Sequence, residues 1–432
     1  MQSSDVRVHR ATLDRGLRLV CVSQPLLHGI CVSLHVHAGP RFEQIDSNGC
    51  SHMLEHMLFR GVPDHPSAHA LAVAMERLGG TLYGATHTDH GHMSVTLPPE
   101  SFDEGVKLFA QVMTRPVFAD IEVERSIIRE EILEGLDEDG SSIDPDNLAR
   151  ALMYPSHPLG MPITGSLASL DAIGEAVLRD HHARLYAGTN AVLCIAGPID
   201  PLRCERLAAE HFCAMPTGSP IVTLPAPGQD GPRFQFTENQ GSQTDLRLAF
   251  RAPGRDDPAE PAAEMLMRLL DDGMSTRLYA RVCDEKGLCY DVSADYEPFA
   301  DDGVLDLAAT VRHERAPLVM RELCGIVEDL AERGPTEEEL RVCKSRHHWG
   351  LEALLDHVEG LADYHGLSQL HGSEESLVAR REKIERVTRD EVVEVARRVF
   401  RPEVGSAVAV GMLRKGQRKE IELALASLRP GR

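Results

Sequence analysis

Hydrophobic and polar positions along this chain follow two periods, which predicts both strands and helices. Strand patterns lie around Arg18 and at Ile30–Gly39, and a pair of strands follows between residues 81 and 97. Apolar positions three and four residues apart predict helices in the same half of the chain, at 50–62, 68–79, 100–114, 120–136 and 201–213.

The second half repeats this order of elements. It begins with a strand at Asp245–Arg251, and the elements that follow are a helix at 258–271, a helix opening at Asp272, strands from Gly287 and Gly303, and helices across much of 314–400. The stretch richest in Pro and Gly lies between the halves and predicts an exposed linker. We therefore expect an α+β fold of two duplicated domains, each a mainly antiparallel sheet with helices on one face, at 1–214 and 234–432 with a linker at 215–233.

Composition narrows the class of protein. Of 432 residues, 42% are hydrophobic and 26% charged, as in globular proteins, and no apolar run is long enough to span a membrane. The net charge of −22 argues against nucleic acid or an anionic membrane as a partner. The chain begins without an apolar targeting segment, and its 10 cysteines are scattered, so we expect reduced thiols and a cytoplasmic location.

One motif gives the chain its candidate chemistry. His52, Glu55 and His56 form H-x-x-E-H, the inverted zincin signature. On a helix, histidines four residues apart project from one face, where two imidazoles can hold one Zn²⁺. Glu55 flanks the same face and could take a proton from a water molecule without binding the metal. A motif of this length also occurs by chance, so its structural context must support it.

A zinc site with two histidines needs a third protein ligand, and a carboxylate is a common choice. The helix predicted at 120–136 offers Glu124 and Glu131, which lie seven residues apart on one face. A solvated acidic stripe is the plainer interpretation of this helix, and counting residues does not decide between Glu130 and Glu131 as the ligand.

Three further histidines, His87, His90 and His92, crowd the predicted strand pair. They suggest an auxiliary metal site, but exposed polar positions at a sheet edge are the favoured interpretation, because this spacing implies no ligand geometry.

Several segments together resemble the pitrilysin-like (M16) metallopeptidases, in the branch of mitochondrial processing peptidase and its bacterial relatives. The matching segments cover both halves and are His52–Gly61, Glu124–Ile132, His157–Gly165, Gly273–Tyr279 and Glu285–Tyr290. The resemblance implies two domains that close as a clamshell, Zn²⁺ on His52, His56 and Glu131, Glu55 as catalytic base, and Glu124 behind a liganding histidine. The resemblance thereby favours Glu131 over Glu130 as the third zinc ligand.

The chain departs from the family pattern in two places. Cys283 stands where the family often has an Arg that, with the tyrosine here numbered Tyr290, helps hold the substrate. On the first-half edge strand, Tyr83 replaces an Asn that contacts the substrate backbone in the family. The predicted substrate-binding residues on this strand are Tyr83, Gly84, Ala85 and Thr86. In heterodimeric relatives the zinc motif and the Arg/Tyr pair lie in different subunits. The resemblance therefore implies a homodimer or a heterodimer with another M16-type chain.

We thus expect a zinc-dependent endopeptidase that hydrolyses unfolded peptides or small polypeptides, with a zinc-activated water, Glu55 as base and Tyr290 as oxyanion donor. The substrate is expected to add as a strand near residues 81–90. Processing of a precursor peptide rests on analogy alone. Two alternatives stay open: a catalytic subunit that is inactive without a partner bearing an Arg/Tyr pair, and a non-catalytic scaffold subunit.

Overall fold

A computed structural model describes residues 6–429 of the chain. The first five residues, where no targeting segment is predicted, and the last three lie outside the described part. Within residues 6–429, no helix combines the length and the apolar character needed to cross a membrane.

The strands of the described chain form two sheets. They are β1 (Arg7–Thr12), β2 (Arg18–Ser23), β3 (Ile30–Val36), β4 (Leu82–Thr86), β5 (Gly91–Leu97), β6 (Ala191–Gly197), β7 (Arg233–Glu238), β8 (Thr244–Ala252), β9 (Val292–Pro298), β10 (Gly303–Val311) and β11 (Gly405–Gly411). Strand β1 was not predicted, because it lies at a sheet edge and its residues are half-exposed on both faces, without alternation.

The helices surround these sheets. They are α1 (Cys50–Leu58), α2 (Ala68–Arg77), α3 (Phe102–Thr114), α4 (Ile121–Glu134), α5 (Pro145–Met153), α6 (Leu167–Ala172), α7 (Glu175–Leu185), α8 (Pro201–His211), α9 (Glu260–Leu270), α10 (Ala316–Arg333), α11 (Glu337–Ala353), α12 (Val358–Leu370), α13 (Leu377–Arg386), α14 (Arg389–Val399) and α15 (Lys415–Ala426). The helices predicted in the first half are confirmed.

The segment from Asp272 differs from its prediction. It holds a short π-helix at Tyr279–Asp284, and the next strand begins at Val292 rather than at Gly287. Gly273 and Gly287 have φ angles of +117° and +55°, so the chain turns at both glycines, where a regular element cannot continue.

Apart from the additional edge strand β1 in the first sheet, the two sheets share one topology. The strand order is β1-β2-β6-β3-β5-β4 in the first and β7-β11-β8-β10-β9 in the second. Each sheet has a single parallel pair, β2 with β6 and β7 with β11, and its other neighbours are antiparallel. The predicted α+β class and the repeated order of elements are therefore confirmed.

The chain divides into two compact units. The first comprises the residues up to Ile132, Met161–Leu224 and Gly350–Leu377, and the second comprises Leu133–Gly160, Pro225–Trp349 and the residues from Val378 onward. The predicted domain ranges, 1–214 and 234–432, stay a prediction. In the two units, residues 133–160 belong to the second unit and residues 350–377 belong to the first.

In the first unit, helices cover both faces of the sheet. On one face α12 packs on the central strands through its buried residues Val358, Leu361 and Ala362. Side chains alternate along a strand, so Met93 and Leu97 of β5 point to the opposite face. There Leu97 packs against α3, where it leaves no room for a side chain at Gly105. Helix α12 lies within the predicted helical region 314–400, but the prediction of helices on one face did not assign it to the first sheet, because it follows that sheet's last strand by over a hundred residues.

The second unit has the same arrangement. Helices α9, α10, α14 and α15 share one large apolar core with the sheet, in which Phe250 and Phe400 meet edge to face at 5.2 Å. On the other face α5 packs through Leu148 and Ala149 against β11. Each sheet is therefore buried on both sides, by several helices on one face and by a single helix on the other.

Gly366 is where α12 comes closest to the first sheet. A Cβ added there would lie 2.4 Å from ring atoms of His35 and 3.1 Å from the Cβ of Cys194. His35 cannot move aside easily, because its ring is buried and its Nε2 lies 3.0 Å from the hydroxyl of Ser33.

Gly366→Ala should lower the free energy of unfolding by about 1–3 kcal/mol, because the added methyl group overpacks this contact. Gly350→Ala is the matched control in α11, where nothing lies within 4 Å of the added Cβ. There, the better helix propensity of Ala should raise the free energy of unfolding by up to about 1 kcal/mol. Urea unfolding of both variants checks this; equal shifts would contradict the close packing of α12.

Candidate metal centre

Helix α1 presents the two histidines of the motif on one face. The rings of His52 and His56 lie with their centroids 4.6 Å apart, as expected for residues separated by one turn. The other sides of the helix are apolar and fully buried, through Met53, Leu54, Met57 and Leu58. This burial fixes the rotation of α1 about its axis and so fixes where the imidazoles point.

The start of α1 is held by a carboxylate that the sequence analysis missed. Gly49 precedes the helix with a φ of +91° and no side-chain cap. Instead the buried carboxylate of Glu43 accepts hydrogen bonds from the backbone N–H of Gly49 at 2.8 Å and of Ser51 at 2.6 Å, and from the side chain of Asn48 at 3.0 Å. A negative charge there is favourable, because the first N–H groups of a helix carry partial positive charge.

Helix α4 supplies the third donor. Oε2 of Glu131 lies 3.7 Å from Nε2 of His52, and Oε1 of Glu131 lies 3.9 Å from Nε2 of His56. One ligand atom from each of these three residues falls within 4.8 Å of the others. The structure thus brings together the three predicted zinc ligands, and the neighbouring Glu130 is not a member of the group.

These residues fit a zinc ion. Ligands about 2.1 Å from zinc in tetrahedral geometry lie roughly 3.4 Å apart, close to the separations found here. Metal-binding histidines must be uncharged, and burial together with the neighbouring His56 lowers the pKa of His52 to about 4. Glu131 remains 41% exposed, so the site opens on one side.

Glu124 lies behind His56, as predicted. Its Oε2 is 2.9 Å from Nδ1 of His56, and its Oε1 accepts a hydrogen bond from Arg60. A carboxylate only accepts, so Nδ1 of His56 carries the proton and Nε2 keeps its lone pair toward Glu131. Arg60, also missed by the sequence analysis, balances the charge of the buried Glu124.

Glu55 stands beside the three donors and outside their group. The hydroxyl of Thr86 donates a hydrogen bond to Oε2 of Glu55 at 2.6 Å. Burial raises the pKa of Glu55, and the hydrogen bond from Thr86 opposes that shift. A carboxyl group with a raised pKa is suited to accept and return protons near neutral pH.

Strand β4 contains the predicted substrate-binding residues and is an edge of the first sheet. Thr86 points toward Glu55, and a Cβ at Gly84 would come within 3.0 Å of Cγ of Glu55. Ala85 lies between them. Tyr83 points to the other face, where its ring is 59% exposed and lies 5.5 Å from that of His92. Substrate binding by these four residues stays a prediction.

Tyr290 belongs to the second unit, between the π-helix and β9. It is 95% exposed. Cys283, which replaces the Arg of the family pattern, has its Sγ 3.9 Å from the backbone oxygen of Tyr290 and 3.8 Å from Sγ of Cys289. Two neighbouring thiols therefore lie close to the backbone of Tyr290, and one of them stands at the sequence position where the family often has an arginine.

Two imidazoles and a carboxylate converging beside a further glutamate form the donor arrangement of inverted zincins. Sequence comparison agrees with this class. Residues 18–166 match the family model described as Insulinase (Peptidase family M16), and residues 172–346 match the one described as Peptidase M16 inactive domain.

An uncharacterized zinc protease of Mycobacterium tuberculosis strain H37Rv is 32% identical over 406 residues, 92% of each chain. An uncharacterized zinc protease of Bacillus subtilis, YmxG, is 24% identical over 375 residues, 84% of this chain and 88% of its own. This chain belongs to peptidase family M16.

Solved structures show the same fold. A protease from Helicobacter pylori matches with a TM-score of 0.87 at 19% identity, over 94% of this chain and all (100%) of that one. A peptidase M16 inactive domain from Pseudomonas fluorescens matches with a TM-score of 0.86 at 22% identity, over 95% and 100% of the two chains.

Glu131→Gln should weaken zinc binding by at least ~100-fold, because a neutral amide replaces the carboxylate donor. The matched control is Glu130→Gln, which changes the adjacent, exposed carboxylate in the same way and should leave the affinity unchanged. Competition against a chromophoric chelator measures both. Equal losses of zinc affinity in the two variants would show that the negative charge of α4, and not coordination by Glu131, determines zinc binding.

Proposed function

We propose that this chain is a zinc-dependent endopeptidase that hydrolyses peptide bonds in unfolded peptides or small polypeptides. The observation that supports this most is the convergence of His52, His56 and Glu131 within 4.8 Å, with Glu55 beside them. His52, His56 and Glu131 would hold the zinc ion, and the bound ion would supply Lewis-acid polarisation of a scissile carbonyl and acidify a coordinated water.

Glu55 moves the proton in this proposal. The hydroxyl of Thr86 holds Oε2 of Glu55, which leaves Oε1 to take a proton from the attacking water. As the water oxygen bonds to the carbonyl carbon and the C–N bond breaks, Glu55 returns that proton to the leaving nitrogen. Its raised pKa, caused by burial, favours both directions of transfer.

Substrate would be bound at the edge of the first sheet. Strand β4 has a neighbour on one side only, so its outer N–H and C=O groups are available to an extended peptide. Binding through backbone hydrogen bonds accepts many sequences, which suits an endopeptidase of unfolded chains. The gap left by Gly84 allows the peptide backbone to approach Glu55 closely.

Tyr290 would donate a hydrogen bond to the developing oxyanion. In this chain Cys283 replaces the arginine that often accompanies this tyrosine in the family. The exposed Tyr290 lacks the arginine that commonly accompanies it. We therefore propose that the chain works with a second M16-type chain, as a homodimer or heterodimer. A subunit inactive by itself and a scaffold subunit are the competing functions. Activity of the isolated chain would exclude both; without it, bound zinc and activity restored by a chain with an Arg/Tyr pair would identify the former, and lack of both would identify the scaffold.

Glu55→Gln should lower kcat for peptide hydrolysis by at least ~10³-fold while zinc content stays at the wild-type level, because the amide cannot accept the proton. Glu104→Gln, an exposed carboxylate on α3, is the control and should retain full activity. Digestion of a fluorogenic peptide library and metal analysis on the same samples measure both quantities. Full activity of Glu55→Gln would show that another group is the base.

Tyr290→Phe should lower kcat by roughly 10²-fold without changing zinc content, because it removes one donor to the oxyanion. Tyr279→Phe, at the start of the π-helix, is the control for loss of a tyrosine hydroxyl in the same segment. Steady-state kinetics of the two variants provide the test. Unchanged activity of Tyr290→Phe would mean that another group, in this chain or a partner, supplies the donor.

A further inference from the structure

A second group of metal-binding side chains lies on the opposite face of the β4–β5 hairpin. Thr86 and the gap at Gly84 face Glu55, whereas His92 faces α12 and stacks on His35 with ring centroids 5.7 Å apart. The loop that joins the two strands continues on the α12 side. It brings Asp89 and His90 to His371, the residue that follows the last turn of α12.

The three side chains form a compact donor set. One ligand atom from each of Asp89, His90 and His371 lies within 4.8 Å of the other two. Nδ1 of His90 is 3.0 Å from Oδ1 of Asp89, and the rings of His90 and His371 meet edge to face at 5.9 Å. Two imidazoles and one carboxylate are the donor types of the first centre, and they suit zinc and similar ions.

The backbone holds these donors in place. The N–H of His87 donates to the backbone oxygen of His90 at 2.8 Å and closes the loop, and the N–H of Arg41 donates to that of Thr88 at 3.0 Å. On the other side, Arg18 donates to the backbone oxygen of Gln369 at 2.8 Å and anchors the end of α12. The site is therefore largely ordered before any ion arrives, which reduces the entropic cost of binding.

The surroundings favour a cation. Asp89 is only 5% exposed, so its carboxylate is removed from water and gains from a positive partner. His371 lies at the C-terminal end of α12, where the helix dipole is negative. Two more imidazoles border the group: His87 stacks on His90 at 4.3 Å, and His37 lies 5.6 Å from His371.

We propose that Asp89, His90 and His371 form a second binding site for a divalent transition-metal ion, of which Zn²⁺ is the probe to use. The site goes beyond the proposed peptidase function and does not depend on it. An ion there would join the β4–β5 loop to the end of α12 and so stiffen strand β4 from the face opposite Glu55. The His87, His90 and His92 cluster thus contributes one ligand, His90, and the other two ligands come from residues outside that cluster.

Zinc stoichiometry of the full chain tests the proposal. After loading with Zn²⁺ and desalting, the wild type should retain two ions, His371→Gln one, His52→Ala one, and the double variant none. His90→Gln should behave as His371→Gln does and guards against misfolding of a single variant. His69→Gln, an exposed histidine on α2, is the control and should retain two ions. Thermal unfolding in EDTA should be the same for all single variants.

The outcomes separate the two sites. A wild-type chain that holds one ion, lost in His52→Ala and kept in His371→Gln and His90→Gln, would overturn the second site. An ion lost in His371→Gln and His90→Gln but kept in His52→Ala would support it and would count against the zinc centre of the proposed function. In addition, Zn²⁺ should raise the Tm of His52→Ala, and no rise would overturn the proposal.

Discussion

The face of α1 that carries the candidate zinc ligands depends on one buried carboxylate. Glu43 receives the N–H groups of Gly49 and Ser51 at the first turn, and thereby sets where the helix begins and how it enters the core. From that start, one turn separates His52 from His56, and the apolar sides of the helix fix its rotation. Glu124 then orients His56 through Nδ1, so the donors are preorganised by contacts that lie behind them.

The β4–β5 hairpin connects the candidate metal centre to the rest of the first unit. Because side chains alternate along a strand, the β4–β5 hairpin presents Thr86 to Glu55 on one face and His92 to the α12 side on the other. The edge of the sheet, the hydroxyl that contacts Glu55 and the histidines His87, His90 and His92 consequently all belong to this one hairpin.

Local periodicity was enough to predict most helices and the i, i+4 pairing of His52 and His56. It could not choose between Glu130 and Glu131, because both are compatible with the helix and only its packing against α1 decides. Glu43, Arg60 and His371 were missed for a related reason: their roles depend on loop paths and on contacts between distant segments. Strand β1 was missed, and helix α12, which lies within the predicted helical region 314–400, was not placed on the first sheet, because nothing in their local pattern reveals the sheet edge or face that they cover.

The shared topology of the sheets has a consequence for how each half balances its charges. Helix α9 follows β8 and precedes β9, as α1 follows β3 and precedes β4. Where α1 carries imidazoles, α9 carries Glu260 and Glu264, and both accept hydrogen bonds from the guanidinium of Arg380. In corresponding places of one duplicated framework, the first half thus presents the candidate metal donors and the second half presents carboxylates that a guanidinium within the same chain already neutralises.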